Sequence, residues 1–67
     1  MKLLNLSDSQ RIGCTVTYNL NKFCVYLSDG CFLTSATDKA DLKAQLAANR
    51  IAGARFDAAA QRKYLAI

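Results

Sequence analysis

Three cysteines, Cys14, Cys24 and Cys31, and five aspartates, Asp8, Asp29, Asp38, Asp41 and Asp57, are the side chains of this chain best suited to act as nucleophile, base or metal ligand. The chain holds no His and no Glu, and no Trp or Pro either. A thiol nucleophile needs a neighbouring base or cation to make thiolate, and the usual imidazole partner does not exist here. General acid–base work falls to Asp, Lys, Tyr and Cys alone. The aspartates fall in turns and at a helix start, where capping and solvation explain them. A zinc site would want paired cysteines or histidines at short spacing. These cysteines are separated by nine and six intervening residues, with no Cys-x-x-Cys knuckle. In the strand register set out below, Cys24 and Cys31 lie roughly 13 Å apart along the ladder, beyond a shared ion or a disulfide. The three glycines, Gly13, Gly30 and Gly53, are scattered and form no phosphate-cradling loop. The inventory predicts no enzyme, no metal and no cofactor. The cysteines read as small strand hydrophobes of an intracellular protein, an odd count being unlike a secreted disulfide framework.

At 67 residues and 52% hydrophobic composition, the chain has enough apolar mass for one small core, and residues 1–67 read as a single α+β domain. So short a chain buries only about 60% of its unfolded surface, so its stability is modest. The net charge is +4 and uneven. Lys2, Arg11 and Lys22 against Asp8 and Asp29 leave +1 in residues 1–36. Lys39, Lys43, Arg50, Arg55, Arg62 and Lys63 against Asp38, Asp41 and Asp57 leave +3 in residues 37–67. No apolar run nears the ~18 residues of a membrane span. Met1-Lys2-Leu3-Leu4 opens like a signal peptide, but Asn5, Ser7, Asp8 and Ser9 interrupt it. The expectation is a cytoplasmic protein with no membrane partner.

Alternation of apolar and polar residues predicts strands over 11–18, 22–28 and 31–36. Asn19-Leu20-Asn21 and Asp29-Gly30 supply the turns of a three-stranded antiparallel β-meander. A two-residue turn at Asp29-Gly30 sets Tyr26 opposite Leu33 and Leu27 opposite Phe32. The other turn aligns Val16 and Tyr18 with Val25 and Phe23. One face then carries Ile12, Cys14, Val16, Tyr18, Phe23, Val25, Leu27, Phe32 and Ala36. The other carries Arg11, Gly13, Thr15, Thr17, Lys22, Cys24, Tyr26, Ser28, Cys31, Leu33 and Ser35. Residues 1–6 offer a fourth, edge strand, with 7–10 a loop. Two C-terminal helices are expected to pack on one sheet face. The first is opened by Thr37-Asp38 and runs to about residue 52, with Gly53 after its end, and the second spans 54–65. The first has two apolar stripes, Ala40, Ala44, Ala47 and Ile51 on one side and Leu42 and Leu46 on the other. The alanines are expected against the sheet and the leucines against Phe56, Ala60 and Tyr64, or against a second copy in a homodimer.

Two surfaces become candidates for binding. The first is an outward Tyr26/Leu33 pair rimmed by Thr15, Thr17, Arg11 and Lys22, an aromatic centre with a polar border. The alternative is that Leu4 and Leu6 fold over it. The second is the cationic flank Lys39, Lys43 and Arg50, continued by Arg55 and Arg62, which could follow a phosphate backbone or an acidic partner. The competing account is a solvated helix face. In element order alone, the chain resembles the sheet-reading DNA-binding domains of plant transcription factors and phage integrase arms. Those present several Arg, Lys and Trp on the outer face, where this chain offers Arg11 and Lys22. The expected function is a small protein-binding module of inhibitor or regulator type. Its profile suits an accessory protein of a bacteriophage or mobile element that blocks a host complex, a defence complex among them. Nucleic-acid binding through the basic helical face is the second expectation, and a homodimeric structural or antitoxin-like component the third.

Overall fold

The computed structural model describes residues 7–51 and 53–66. In chain order these form α1 (Asp8–Ile12), β1 (Thr15–Asn19), β2 (Lys22–Tyr26), β3 (Phe32–Ala36), α2 (Lys39–Ala48), β4 (Arg55–Phe56) and α3 (Ala58–Ala66). The strands make one sheet in the order β3-β2-β1-β4. The first three form the expected antiparallel meander, and β4 adds to β1 in parallel. The fourth edge strand expected in residues 1–6, and Leu4 and Leu6 with it, lie outside the described residues.

The described residues open with a helix, α1, where a loop over 7–10 and the start of a strand at 11 were expected. Ser7 and Gln10 form a capping box: the Ser7 hydroxyl accepts the Gln10 N–H at 3.4 Å, and the Gln10 carbonyl Oε1 accepts the Ser7 N–H at 3.0 Å. With Asp8 in the first turn, those local bonds carry residues 8–12 into helix. Arg11 therefore leaves the sheet and pairs with Asp8 at 3.4 Å. Ile12, expected on the core face, is 69% exposed. The chain re-enters the core at Cys14, whose thiol donates to the Gln10 carbonyl at 3.0 Å. Between them Gly13 lies hard against the second hairpin loop. A Cβ there would stand 2.5 Å from Ser28 Cβ and 3.3 Å from Ser28 Cα. Gly13→Ala is expected to cost about 1–3 kcal/mol in urea unfolding through overpacking, and Ser28→Gly in the same chain to return part of it.

The two hairpins differ. In the first, Leu20 and Asn21 both adopt left-handed backbone, φ 53° and 64°, closing a two-residue turn between Asn19 and Lys22. Its register matches the sequence expectation: Tyr18 pairs with Phe23, and Val16 with Val25. In the second, the loop is one residue longer than expected. Gly30 N–H donates to the Leu27 carbonyl at 2.9 Å, and Leu27 N–H donates to the Cys31 carbonyl at 2.8 Å. Ser28-Asp29 is thus the turn and Gly30, at φ 88°, the left-handed residue after it. The Asp29 carboxylate accepts the Cys31 N–H at 3.0 Å. That backbone bond, with a smaller contribution from the Cys31 side chain, holds its carboxyl below the ordinary value.

The longer loop sets Tyr26 opposite Phe32 rather than Leu33. An irregularity then restores the expected frame, with Val25 opposite Thr34, Cys24 opposite Ser35 and Phe23 opposite Ala36. Leu33 is the unmatched residue of this bulge. The expected Tyr26/Leu33 pair is therefore corrected: Leu33 packs against the core and Phe32, expected inside, is 58% exposed.

Both longer helices cover the same sheet face. Asp38 caps α2, its carboxylate accepting the Asp41 N–H at 2.8 Å, so the cap is the aspartate rather than Thr37. The orientation of α2 is the reverse of that expected. Leu42 is fully buried, with Leu46 packed beside it, while Ala40, Ala44 and Ala47 face solvent. The core groups Cys14, Val16, Phe23, Val25 and Ala36 from the β-meander and its approach with Leu42 of α2 and Ala60 of α3. Leu42 consequently has no surface to offer a second copy.

Helix α2 also ends earlier than expected, at Ala48. Arg50 N–H donates to the Ala47 carbonyl and Ile51 N–H to the Leu46 carbonyl, at 3.1 and 2.9 Å. This is a Schellman ending with Arg50 in its left-handed position, φ 56°. Gly is the residue that fits there without strain. Arg50→Gly is expected to raise stability by about 0.5–1 kcal/mol, read as a higher thermal midpoint. The early stop frees residues 54–57, expected as helix, to reach the sheet. Arg55 N–H donates to the Cys14 carbonyl and Asp57 N–H to the Val16 carbonyl, at 2.9 and 3.0 Å. Asp57 then caps α3 by accepting the Ala60 N–H at 2.8 Å. No helix among the described residues is long and apolar enough to cross a membrane.

Candidate docking surface on the outer sheet face

Strand pairing sets one row of side chains across the face opposite α2 and α3. Arg55 on β4 is opposite Thr15 on β1, Thr15 opposite Tyr26 on β2, and Tyr26 opposite Phe32 on β3. Their alternates Phe56, Val16 and Val25 point to the core side, which fixes the orientation. Tyr26 and Phe32 meet edge to face, ring centroids 5.7 Å apart at 74°. A second row runs Thr17, Cys24, Ser35, and Lys22 stands beyond it, exposed, at the hairpin end. Thr15, Thr17 and Tyr26 are half-buried, and Arg55 and Phe32 are exposed. The described strand residues of this face carry two cations, Arg55 and Lys22, and no carboxylate.

The predicted residues divide between several surfaces. Tyr26, Thr15, Thr17 and Lys22 come together as expected; Leu33 packs toward the core, and Arg11 sits on α1, outside the strands. The structure moves Arg55 from the expected helical flank to this face, because 55–56 is strand. The remaining flank is not one surface. Lys39 leans on the Tyr64 ring, its Nζ 4.6 Å from the centroid, and is half-buried. Lys43 and Arg50 are exposed on and just beyond α2, and Arg62 is exposed on α3. Lys63, absent from the predicted set, stands over Tyr18 at 5.4 Å.

Phe32 is the contributor that sequence reasoning missed. Its signal was present: Ser28-Asp29-Gly30 suits a three-residue loop with a left-handed Gly as well as Asp29-Gly30 suits a two-residue turn. For the thiols, burial raises the Cys14 pKa, and the neighbouring Asp29 raises that of Cys31 by hydrogen bond and charge. Both shifts lower thiolate content, opposite to nucleophile activation.

Among protein-family models, curated proteins and solved structures, comparison with this chain finds no match. The functional reading therefore rests on the surface itself.

Proposed function

We propose that this protein is a non-enzymatic docking module, of inhibitor or regulator type, that seats an acidic protein surface on its outer sheet face. The pair of half-buried Tyr26 and exposed Phe32, in line with Arg55, supports this reading. Aromatic and Arg side chains dominate binding energy at protein interfaces, and a half-polar border of threonines suits the rim. The uncompensated Arg55 and Lys22 favour a partner bearing carboxylates. The bulge at Leu33 argues for the face over the edge, since bulges twist an edge strand out of template geometry.

Affinity capture from a bacterial lysate tests it, using wild type beside Tyr26→Ala/Phe32→Ala and Lys43→Ala/Arg62→Ala baits. The expected result is a set of proteins lost only with the aromatic pair. Recovery of the same set by all three baits removes the outer face from consideration. Binding to oligonucleotides that falls steeply with added salt would move the reading to nucleic acid.

A further inference from the structure

At the tip of the first hairpin the chain sets a leucine where asparagine or glycine would sit without strain. Leu20 takes left-handed backbone, φ 53°, a region unfavourable for a bulky side chain. It is 81% exposed, so packing within the chain does not offset the strain. Strain of that kind points to a contact made outside the chain. The neighbouring side chains complete the pattern. Asn19 and Asn21 flank Leu20, both exposed, and neither amide makes a side-chain hydrogen bond among the described residues. Asn19 pairs with Lys22, and Tyr18 with Phe23. Tyr18 and Phe23 point to the helical side with the core, so Lys22 belongs to the opposite side. On the helical side the Lys63 ammonium stands over the Tyr18 ring, 5.4 Å from its centroid. A cation therefore flanks the ribbon on each side. Residues 9–28 hold no acid. The acids at the start of α2 are engaged there, Asp38 accepting the Asp41 N–H and Asp41 the Thr37 N–H.

We infer that this tip enters the minor groove of a DNA duplex, with Leu20 wedged between base pairs. That groove is about 6 Å wide, floored by hydrogen-bonding base edges and walled on both sides by phosphates. Lys22 and Lys63 match the two walls, and the Asn19 and Asn21 amides match the floor. An apolar side chain inserted between base steps is how minor-groove proteins kink the duplex and widen its contact. An apolar pocket on a protein would take the leucine but would bury two amides beside it. A lipid surface would hold the tip by a single leucine. Pyrimidine–purine steps unstack most readily, so the preferred site is A·T-rich with a central TA step. The tip lies at the opposite end of β2 from Tyr26, and the contact does not depend on the outer-face reading.

The test is fluorescence anisotropy of the intact chain with a labelled 16-base-pair duplex centred on TATA, beside a G·C duplex and a single strand of equal length. The expected result is tighter binding of the TATA duplex by at least about threefold. Its logarithmic salt slope should be about −2, the value for two phosphate contacts. Lys22→Ala and Lys63→Ala should each make the slope shallower by about 1. Leu20→Asn should weaken the TATA duplex by at least about tenfold, the scale of one buried leucine, with the slope unchanged. The same variant should raise the thermal midpoint, because Asn accepts the turn backbone, so weaker binding cannot be read as lost folding. No binding to either duplex at about 100 μM protein and low salt, the weak end of non-specific affinity, would overturn the site. So would a Leu20→Asn chain that binds as tightly as wild type, or a single strand that binds as tightly as the duplex. Duplex binding lost in Tyr26→Ala/Phe32→Ala and kept in Leu20→Asn would put the nucleic acid on the outer face and remove it from the tip.

Discussion

Leu42→Ala is expected to leave the chain largely unfolded at room temperature. Leu42 is among the largest fully buried side chains and joins α2 to Phe23, Val25 and Ala60. Truncating a buried Leu to Ala typically costs about 2–5 kcal/mol, from lost transfer energy and the cavity left behind. A chain of this length is stabilised by roughly 3–10 kcal/mol in total, and its small size places it toward the lower end. The substitution therefore removes a large share of the whole. Ala44→Ser, on the opposite and exposed stripe of α2, is expected to cost no more than about 0.5 kcal/mol, the helix-propensity difference and ordinary surface tolerance. Circular dichroism with urea unfolding of the two variants distinguishes the orientations of the helix. A folded Leu42→Ala beside a collapsed Ala44→Ser would mean that the alanine stripe faces the sheet.

That orientation shows where sequence reading reached its limit. The helix offers two apolar stripes, and periodicity alone does not rank them. Close approach of a helix to a sheet favours alanine, whereas filling the space above Phe23 and Val25 requires the larger leucines, and filling wins. The first hairpin was legible because two competing demands agree there. Asn tolerates left-handed backbone in the turn, and a two-residue turn also keeps Val16, Tyr18, Phe23 and Val25 on one face. In the second hairpin these demands diverge. The Ser28-Asp29-Gly30 loop sets one parity near the turn, and the core requires the other at Val25 and Phe23. The bulge at Leu33 reconciles them, and no local residue pattern announces it. Elements built by short-range bonds divide likewise. The Ser7–Gln10 capping box has the local spacing of a helix start, whereas the alternation that begins at Arg11 points to strand. Strand β4 was not readable: two residues carry no periodicity, and their pairing depends on β1, forty positions upstream. The candidate surface inherits all of this. Its residues on β1 and β2 were found, Phe32 was assigned to the wrong side, and Arg55 reached it through a strand taken for helix.

Phe32→Ala is expected to weaken binding of the partner recovered by the wild-type protein by at least about tenfold. Truncation of a central aromatic anchor commonly costs 2 kcal/mol or more, and about 1.4 kcal/mol corresponds to each tenfold in affinity. Because Phe32 is 58% exposed in the free chain, the same substitution should lower folding stability by less than about 1 kcal/mol. Leu33→Ala provides the contrast. Its side chain packs on the core, so its loss appears as a lower unfolding midpoint, with the affinity of the remaining folded protein near that of wild type. Arg55→Ala should act through the association rate, with an effect that shrinks as salt screens the acidic partner. Calorimetric titration and urea unfolding of the three variants test the bulge and the docking row together. If Leu33→Ala abolishes binding while Phe32→Ala is neutral, the working side chain is the one this register turns inward, and the row from Arg55 to Phe32 is not the contact. Affinity lost at Phe32, stability lost at Leu33 and salt sensitivity lost at Arg55 form a combination that a one-residue shift of the second hairpin would not reproduce, because such a shift exchanges the first two positions.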